Sequence, residues 1–448
     1  MLLFENCKKL YENNVFRFSF GPMSIPYDYT GARDEFLASR KTAWLGVTLN
    51  ISPVYDVIGE EAILLLNQTC VNRDFALTPV GGSKHVIICN EKGQMVADGV
   101  AMRLEEKRWR TYWLAPVLEY YLENSGLDVK GEWVMDEFFL QIDGPKSLEI
   151  LEDAAQVDLH DIKFARNKKV EISGKSIVVH RLGMSGALAY EIHGKQEDAE
   201  SVYNCIYDSL VKFDGRRQGF RNYTTINHTP GGYPNQGIHY NYPCYTSGEG
   251  LKEWVLKEHI AKMGLTPWSH LLGSASDDPE NAFMTPFDVG WGYLVNFDHD
   301  FPGKEALEKI KENQIYQMVT LEWNAEDVGD VFASQFRGED NYYEPIEYFN
   351  GACDVTQFGA VRVDYVLTDG RKIGIASGKT YAYFENRMIS LAKIEKEFAA
   401  EVGKELIVLW GSPNYKQKEI RVKIAPFPYY NGQYRNETFD VESIPRKF

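Results

Sequence analysis

No stretch of this sequence approaches the ~20 consecutive apolar residues of a membrane-spanning helix. The opening MLLFENCKKLYENN has only four apolar residues in a row, too few for the apolar core of a secretory signal. Cysteine is scarce: six residues, at 7, 70, 89, 205, 244 and 353, with no CxxC and no pairing with His at zinc spacing. Free thiols in a reducing, cytoplasmic compartment are the expectation. Positive charge is also short, with 48 Lys and Arg against 64 Asp and Glu and a net charge of −16. That excludes the basic face that nucleic acid or an anionic membrane would need. It leaves room for a small anionic ligand, since a few local cations can dominate one pocket. There is no GxGxxG after a strand, no P-loop, no GxSxG and no HExxH. Asp298-His299-Asp300 reads as a solvated loop, and no metal is expected.

What is present is a chain long enough for two or three packed domains. Of its 448 residues 44% are apolar and 13% aromatic, with 27 Tyr. Tyrosines suit a core, and equally a site that packs flat rings and supplies polar tips. Residues 59–69 read as a short helix, and HVIICN (85–90) and GQMVADGVAMRL (93–104) as strands around a turn at Glu91-Lys92-Gly93. RWRTYWL (108–114) alternates, placing Arg108, Arg110 and Tyr112 on one side. FFLQIDGP (138–145), a helix to about 153, and a strand pair over 176–194 follow. EDAESVYNCIYDSLVKF (197–213) is an amphipathic helix with apolar residues at 3–4 spacing. Residues 215–300 are Gly-, Pro- and aromatic-rich with little period, the mark of a functional segment. From about 315 the pattern is strand-like, and the last 20 residues read as a tail.

Several segments, in order, resemble the T-protein (aminomethyltransferase) of the glycine cleavage system. They are NEKGQMVADGV (90–100), RLGMSGALAYEI (181–192), MTPFDVGWGYLV (284–295), FPGKEAL (301–307), IGIASGKTYAYFENRMISLAKI (373–394) and IAPFPYY (424–430). The resemblance implies an α+β fold: two N-terminal α+β modules within residues 1–310, a C-terminal β-barrel over 311–430 and a tail over 431–448. It implies tetrahydrofolate as co-substrate. The family's pterin-holding Glu falls on Glu191, and the Asp of its turn motif on Asp98, near the reacting nitrogens. The chemistry agrees, because a pterin edge offers two parallel N–H donors and a carboxylate is their natural bidentate acceptor.

The sequence departs from the T-protein at GFRNYTTINHTPGG (219–232), where the family's two Arg fall on Tyr223 and Asn227 and its Glu on Thr229. Aminomethyl transfer from glycine is therefore not expected. Arg221, Arg216 or Arg217 is left to hold the folate tail. An insertion over about 232–284, containing GGYPNQGIHYNYPCYTSGEGLKEW, resembles the tetrahydrofolate-dependent aryl O-demethylases acting on vanillate, 3-O-methylgallate and syringate. Asn50 departs from that branch, which tends to carry His there. The reaction this resemblance implies is methyl transfer from a methoxylated arene to N5 of tetrahydrofolate. Tyr240, His239, Tyr27 and Tyr242 are candidates to protonate or hold the phenol oxygen, with His228 beside the substrate. Arg110, with Arg108 second, is the candidate clamp for a substrate carboxylate. Two other readings remain open: demethylation of an N- or S-methyl compound, and a non-catalytic folate-binding accessory protein. The partners expected are small molecules alone, on a monomer or homo-oligomer.

Overall fold

The computed structural model describes every residue except 1–3, 5–6, 14–16, 21–22, 224–226, 247, 264–269, 339–340, 347–359 and 433–434. Cys353 lies outside the described residues; the other five cysteines are free thiols. Among the described residues, no helix is long and apolar enough to cross a membrane.

Three large sheets carry the architecture. The first has six strands in the order Asn167–Ile172, Lys175–His180, Ala189–Lys195, Glu137–Asp143, Trp44–Gly46 and Arg216–Gln218. All neighbours are antiparallel except the last pair, which is parallel. Period-2 alternation splits its side chains between two buried faces. Phe138, Leu140, Ile142, Tyr190, Ile192, Ile177 and Val179 pack on the back, against helices Ser147–Ala155 and Ala199–Lys212. The front face mixes polar side chains with Phe139 and Trp44 and carries part of the site.

The second sheet has five antiparallel strands in the order Ser83–Cys89, Met95–Glu105, Arg108–Tyr112, Val54–Ile58 and Lys130–Trp133. It is nested in sequence inside the first, because Trp44–Gly46 precedes it. The turn of its first hairpin falls where the sequence placed it, with Gly93 at φ +75 and the Asn90 carboxamide accepting the Lys92 and Gln94 N–H groups. The third strand stops at Tyr112, short of the expected 114, since Trp113 is left-handed at φ +68.

The third sheet runs His270–Leu272, Ala360–Thr368, Arg371–Ala382, Arg387–Glu395, Tyr316–Trp323, Lys418–Ala425 and Glu405–Trp410. Pairing of Ala360–Thr368 with Glu405–Trp410 closes six of these strands into a barrel. The barrel also takes a parallel edge strand, His270–Leu272, from well before residue 311. Tyr240, Tyr242, Cys244 and Tyr245 of the insertion are buried in the same core as Val86, Ile88 and Val96 of the five-stranded sheet. In the tail, Asn436 is 1% exposed, and Arg181 donates to its carbonyl and to that of Phe439.

Candidate active site

Strand register sets a row of side chains across the front of the six-stranded sheet. His180 pairs with Glu191, Glu191 with Gln141, Gln141 with Gly46, and Gly46 with Gln218. Paired residues share a face, so three strands aim His180, Glu191 and Gln141 the same way. Glu191 is 4% exposed. Its Oε2 lies 3.2 Å from His180 Nδ1 and 3.6 Å from His193 Nε2. Ser83 Oγ sits 2.8 Å from His180 Nε2. With that nitrogen accepting the hydroxyl proton, Nδ1–H of a neutral His180 donates to Glu191. Burial lowers the His180 pKa, which keeps the ring neutral. Burial alone would raise the Glu191 pKa; the hydrogen bonds and charges of the two imidazoles outweigh it and hold the carboxyl below its usual range.

Gln141 is 1% exposed, and neither atom of its amide has a hydrogen-bond partner among the described residues. A buried amide without partners is costly, on the order of 1–3 kcal/mol per group, unless a ligand supplies them. The neighbouring Gly183 makes room for it, since a Cβ there would meet Gln141 Nε2 at 3.1 Å and the Ala189 Cβ at 2.3 Å.

A second cluster centres on Asp98, on the second strand of the five-stranded sheet. Its Oδ1 accepts the hydroxyls of Tyr240 and of Tyr242 (2.6 Å), and His85 Nε2 lies 3.2 Å from Oδ2. The Asp98 N–H in turn donates to the Tyr242 oxygen at 2.8 Å. Burial, then the Asp98 charge, pushes both tyrosines well above the usual range, so both remain phenols and donors. The edge of His85 meets Trp291 at 4.5 Å, and Tyr233 lies 5.3 Å from it.

Glu191 and His85 both line a cavity of about 1050 Å³, walled also by Tyr233, Trp291, Met318 and Phe427 among others; Asp98 touches it through His85. The cavity therefore draws on both sheets, the segment after the insertion and the barrel. Its volume is at the upper end for a small-molecule site. His180, Glu191 and His193 also offer ligand atoms within 4.8 Å of one another, a donor set a transition metal could use.

The structure thus brings Asp98, Tyr240 and Tyr242 together beside His85, and sets Glu191 in the cavity wall that His85 also lines. The other expected residues lie elsewhere. Tyr27 is 9% exposed, packs in the core behind the six-stranded sheet and is not in the cavity wall. Arg221 pairs with Asp28 at 3.3 Å, outside that wall; Arg216 pairs with Asp34 and Asp214. His239, expected as an acid, is occupied by contacts to Asn235 and Thr229. Its Nδ1 accepts the Asn235 N–H at 2.9 Å, and its Nε2 contacts Thr229 Oγ1 at 2.9 Å, whose hydroxyl donates to Gly378 O. Burial lowers its pKa to about 3. The ring packs so tightly on the barrel that a Cβ on Gly378 (φ +61) would approach it to 2.3 Å. His228, pushed down to about 4 by burial, bridges Tyr233 O and the Asn235 amide.

Arg110, expected as a carboxylate clamp, is occupied by carboxylates of the protein itself. Its guanidinium is taken by Asp56, with Nε–Oδ1 2.8 Å and Nη2–Oδ2 2.9 Å, and by Glu137 at 3.2 Å. Arg108 binds the same Asp56. The residues that sequence reasoning passed over are Gln141, His180, His193 and His85. Their one signal was alternation: polar residues at every second position of otherwise apolar strands. Arg110→Ala should cost stability, at most about 3–5 kcal/mol, by leaving buried Asp56 to Arg108 alone and Glu137 without its arginine, measured by denaturant unfolding. It should leave the preference between carboxylated and neutral substrates unchanged; a selective loss on carboxylated ones would restore the clamp.

Residues 8–228 match the GCVT N-terminal domain family. The chain is 44% identical over 435 residues to a sesamin methylene transferase from a Sinomonas species, covering 96% of this chain and 94% of that protein. It is 28% identical over 433 residues to a syringate O-demethylase from a Sphingobium species, covering 90% of each. An aminomethyltransferase from Thermotoga neapolitana is 24% identical, with 93% of this chain and 94% of that one covered. Among solved structures, the glycine cleavage system aminomethyltransferase T from Bartonella henselae has the same fold, with a TM-score of 0.68 at 16% identity over 95% of this chain and 97% of that chain. The chain belongs to the glycine cleavage T-protein (GCVT) family and is a tetrahydrofolate-dependent transferase.

Proposed function

We propose that this enzyme transfers the one-carbon group of an aryl ether to tetrahydrofolate, with a methylenedioxyarene as its substrate. The observation that carries the reading is the Asp98 carboxylate holding two tyrosine hydroxyls and touching His85, which lines the same cavity as Glu191. A methylenedioxy group releases two phenolic oxygens, each needing a proton, and two phenol donors suit that. The 44% identity to a methylene transferase supports the same choice. So does the engagement of Arg110, which leaves the substrate no dedicated carboxylate partner there. A methoxyarene is the second reading, supported by the 28% identity to a syringate O-demethylase. We place the reaction in the cytosol, where unpaired thiols persist.

The residues present fit the folate. A pterin edge presents two donors, an exocyclic amine and a ring N–H, beside a carbonyl acceptor. Glu191 supplies the two acceptor oxygens, and the orphaned Gln141 amide supplies an N–H for the carbonyl. Tetrahydrofolate brings the amine nitrogens that displace the ether oxygen. The aromatic wall of Tyr233, Trp291 and Phe427 aligns the rings, and such alignment is worth up to ~7–11 kcal/mol. Asp98, with His85, takes the proton that the amine sheds as its new C–N bond forms. Tyr240 and Tyr242 pass a proton to the phenolic oxygen as its C–O bond breaks. The exchange balances without an oxidant: each proton lost by nitrogen ends on oxygen.

Incubation with tetrahydrofolate and a panel of ethers tests this. A methylenedioxyarene should give a catechol and 5,10-methylenetetrahydrofolate; a methoxyarene alone turning over, to a phenol and 5-methyltetrahydrofolate, would select the second reading. Product from an N- or S-methyl compound only, or folate binding with no turnover, would contradict both. Tyr240→Phe should lower kcat roughly 10²- to 10⁴-fold with folate affinity retained, and an unchanged rate would remove Tyr240 from proton transfer.

A further inference from the structure

We propose that the cavity rim formed by Arg73, Lys84 and Tyr293 is the binding site for the benzoylglutamate tail of the folate. The inference rests on the reading of Glu191 as the pterin's acceptor, and it adds what holds the rest of the molecule. Folate runs from the pterin through a p-aminobenzoyl ring to a glutamate. Its far end therefore calls for a flat apolar contact and a cation. The arginines expected to supply that cation are engaged elsewhere. Arg216 and Arg221 pair with aspartates. Arg217 donates to Lys9 O at 2.6 Å and lies over the Tyr29 ring.

The cavity wall carries the opposite sign of charge from the chain as a whole. A protein of net charge −16 presents there Arg73, Lys84, Lys396 and Arg435 against Glu191 and Glu437. Arg435 is committed to Glu437 at 3.0 Å and to the carbonyls of Gly231 and Tyr430. Lys84 Nζ donates to the carbonyls of Arg73 and Asp74, at 2.7 and 2.8 Å, above the Phe75 ring. Arg73 and Lys396 are exposed, and neither has an acidic partner among the described residues. An unpaired cation in the wall of a cavity that receives an anion is a candidate to bind it.

Of the two, Arg73 is the one connected to Glu191. Contacts run from Glu191 through His180 to Ser83, a wall residue whose chain neighbour is Lys84. Lys396 belongs instead to the barrel, after the strand Arg387–Glu395. The backbone beneath Arg73 is pinned. The Asn72 amide donates to His85 O at 2.8 Å and accepts the Ile87 N–H at 3.0 Å. An antiparallel bridge between Asn72 and Val295 runs Arg73 alongside Leu294, next to Tyr293. The neighbouring Asp74 turns into its own loop, where it accepts from Asn67 and the Ala76 N–H. Tyr293 lines the cavity, is 79% exposed, and packs on no other ring among the described residues. Its face suits the benzoyl ring, and the Arg73 guanidinium suits a glutamate carboxylate.

The test compares two ligands under anaerobic conditions: tetrahydrofolate, and 6-methyltetrahydropterin, which has the same pterin edge and no tail. Dissociation constants are measured for wild type, Arg73→Gln, Tyr293→Ala, Lys396→Gln and Glu191→Gln. Arg73→Gln should weaken tetrahydrofolate about five- to tenfold and leave the tail-less pterin unchanged. Tyr293→Ala should weaken tetrahydrofolate about two- to tenfold with the same selectivity. Lys396→Gln should bind both ligands as the wild type does. Unchanged tetrahydrofolate binding by Arg73→Gln, or a loss shared equally by the tail-less pterin, overturns the proposal. So does a loss confined to Lys396→Gln. Glu191→Gln should weaken both ligands. Normal binding of the tail-less pterin by that variant overturns the reading of the pterin site, while a tail-selective loss in Arg73→Gln would still place the tail.

Discussion

Burying the carboxylate of Glu191 is the constraint on which the rest of the site depends. An isolated carboxylate in a water-poor interior is prohibitively unstable unless it is paired and hydrogen-bonded. Here it is 4% exposed, and compensation runs outward from it in both directions. One arm passes through His180 to Ser83, tying the six-stranded sheet to the five-stranded one. The other passes through His193 and Glu137 to Arg110, Asp56 and Arg108, again crossing between sheets. A pair of sheets nested in sequence is thus joined by the network that keeps one acceptor charged. The same pairing explains why Arg110 has no capacity left for substrate.

The second half of the site follows a complementary logic. Asp98 is not enclosed by cations but by hydroxyl and imidazole donors, and it sits where the insertion packs on the hairpin. Such an arrangement can take and return protons, whereas the Glu191 network favours a fixed charge. The barrel and tail complete the enclosure: His239 locks the segment after residue 228 against Gly378, and Phe427 and Asn436 close the cavity wall.

The legible parts of the sequence were those with local causes. The amphipathic helix, the Gly93 turn and most strands followed from periodicity and turn chemistry. Asp98 and Glu191 followed from the family motifs, and Tyr240 and Tyr242 from the composition of the insertion. The illegible parts were matters of partnership across the fold. RWRTYWL showed which face Arg110 occupies, but not that Asp56, 54 residues away in sequence, waits on the adjacent strand. His239 and Tyr240 are neighbours in sequence, yet one meets the barrel and the other Asp98, a difference set by the backbone of an irregular segment. Gln141, His180 and His193 were hidden because each is unremarkable alone. Only strand register makes a row of His180, Glu191 and Gln141, with His193 two residues further along the Glu191 strand. Barrel closure and the early edge strand His270–Leu272 are likewise products of long-range pairing.

The most direct measurement is the structure of the complex with reduced folate. The account predicts the pterin's exocyclic amine and ring N–H at about 2.7–2.9 Å from the Glu191 carboxylate, with the Gln141 amide on the pterin carbonyl and the reacting nitrogen on the Asp98 side. A pterin bound elsewhere in the cavity, with Glu191 still paired only to its histidines and Gln141 still without a partner, would contradict it.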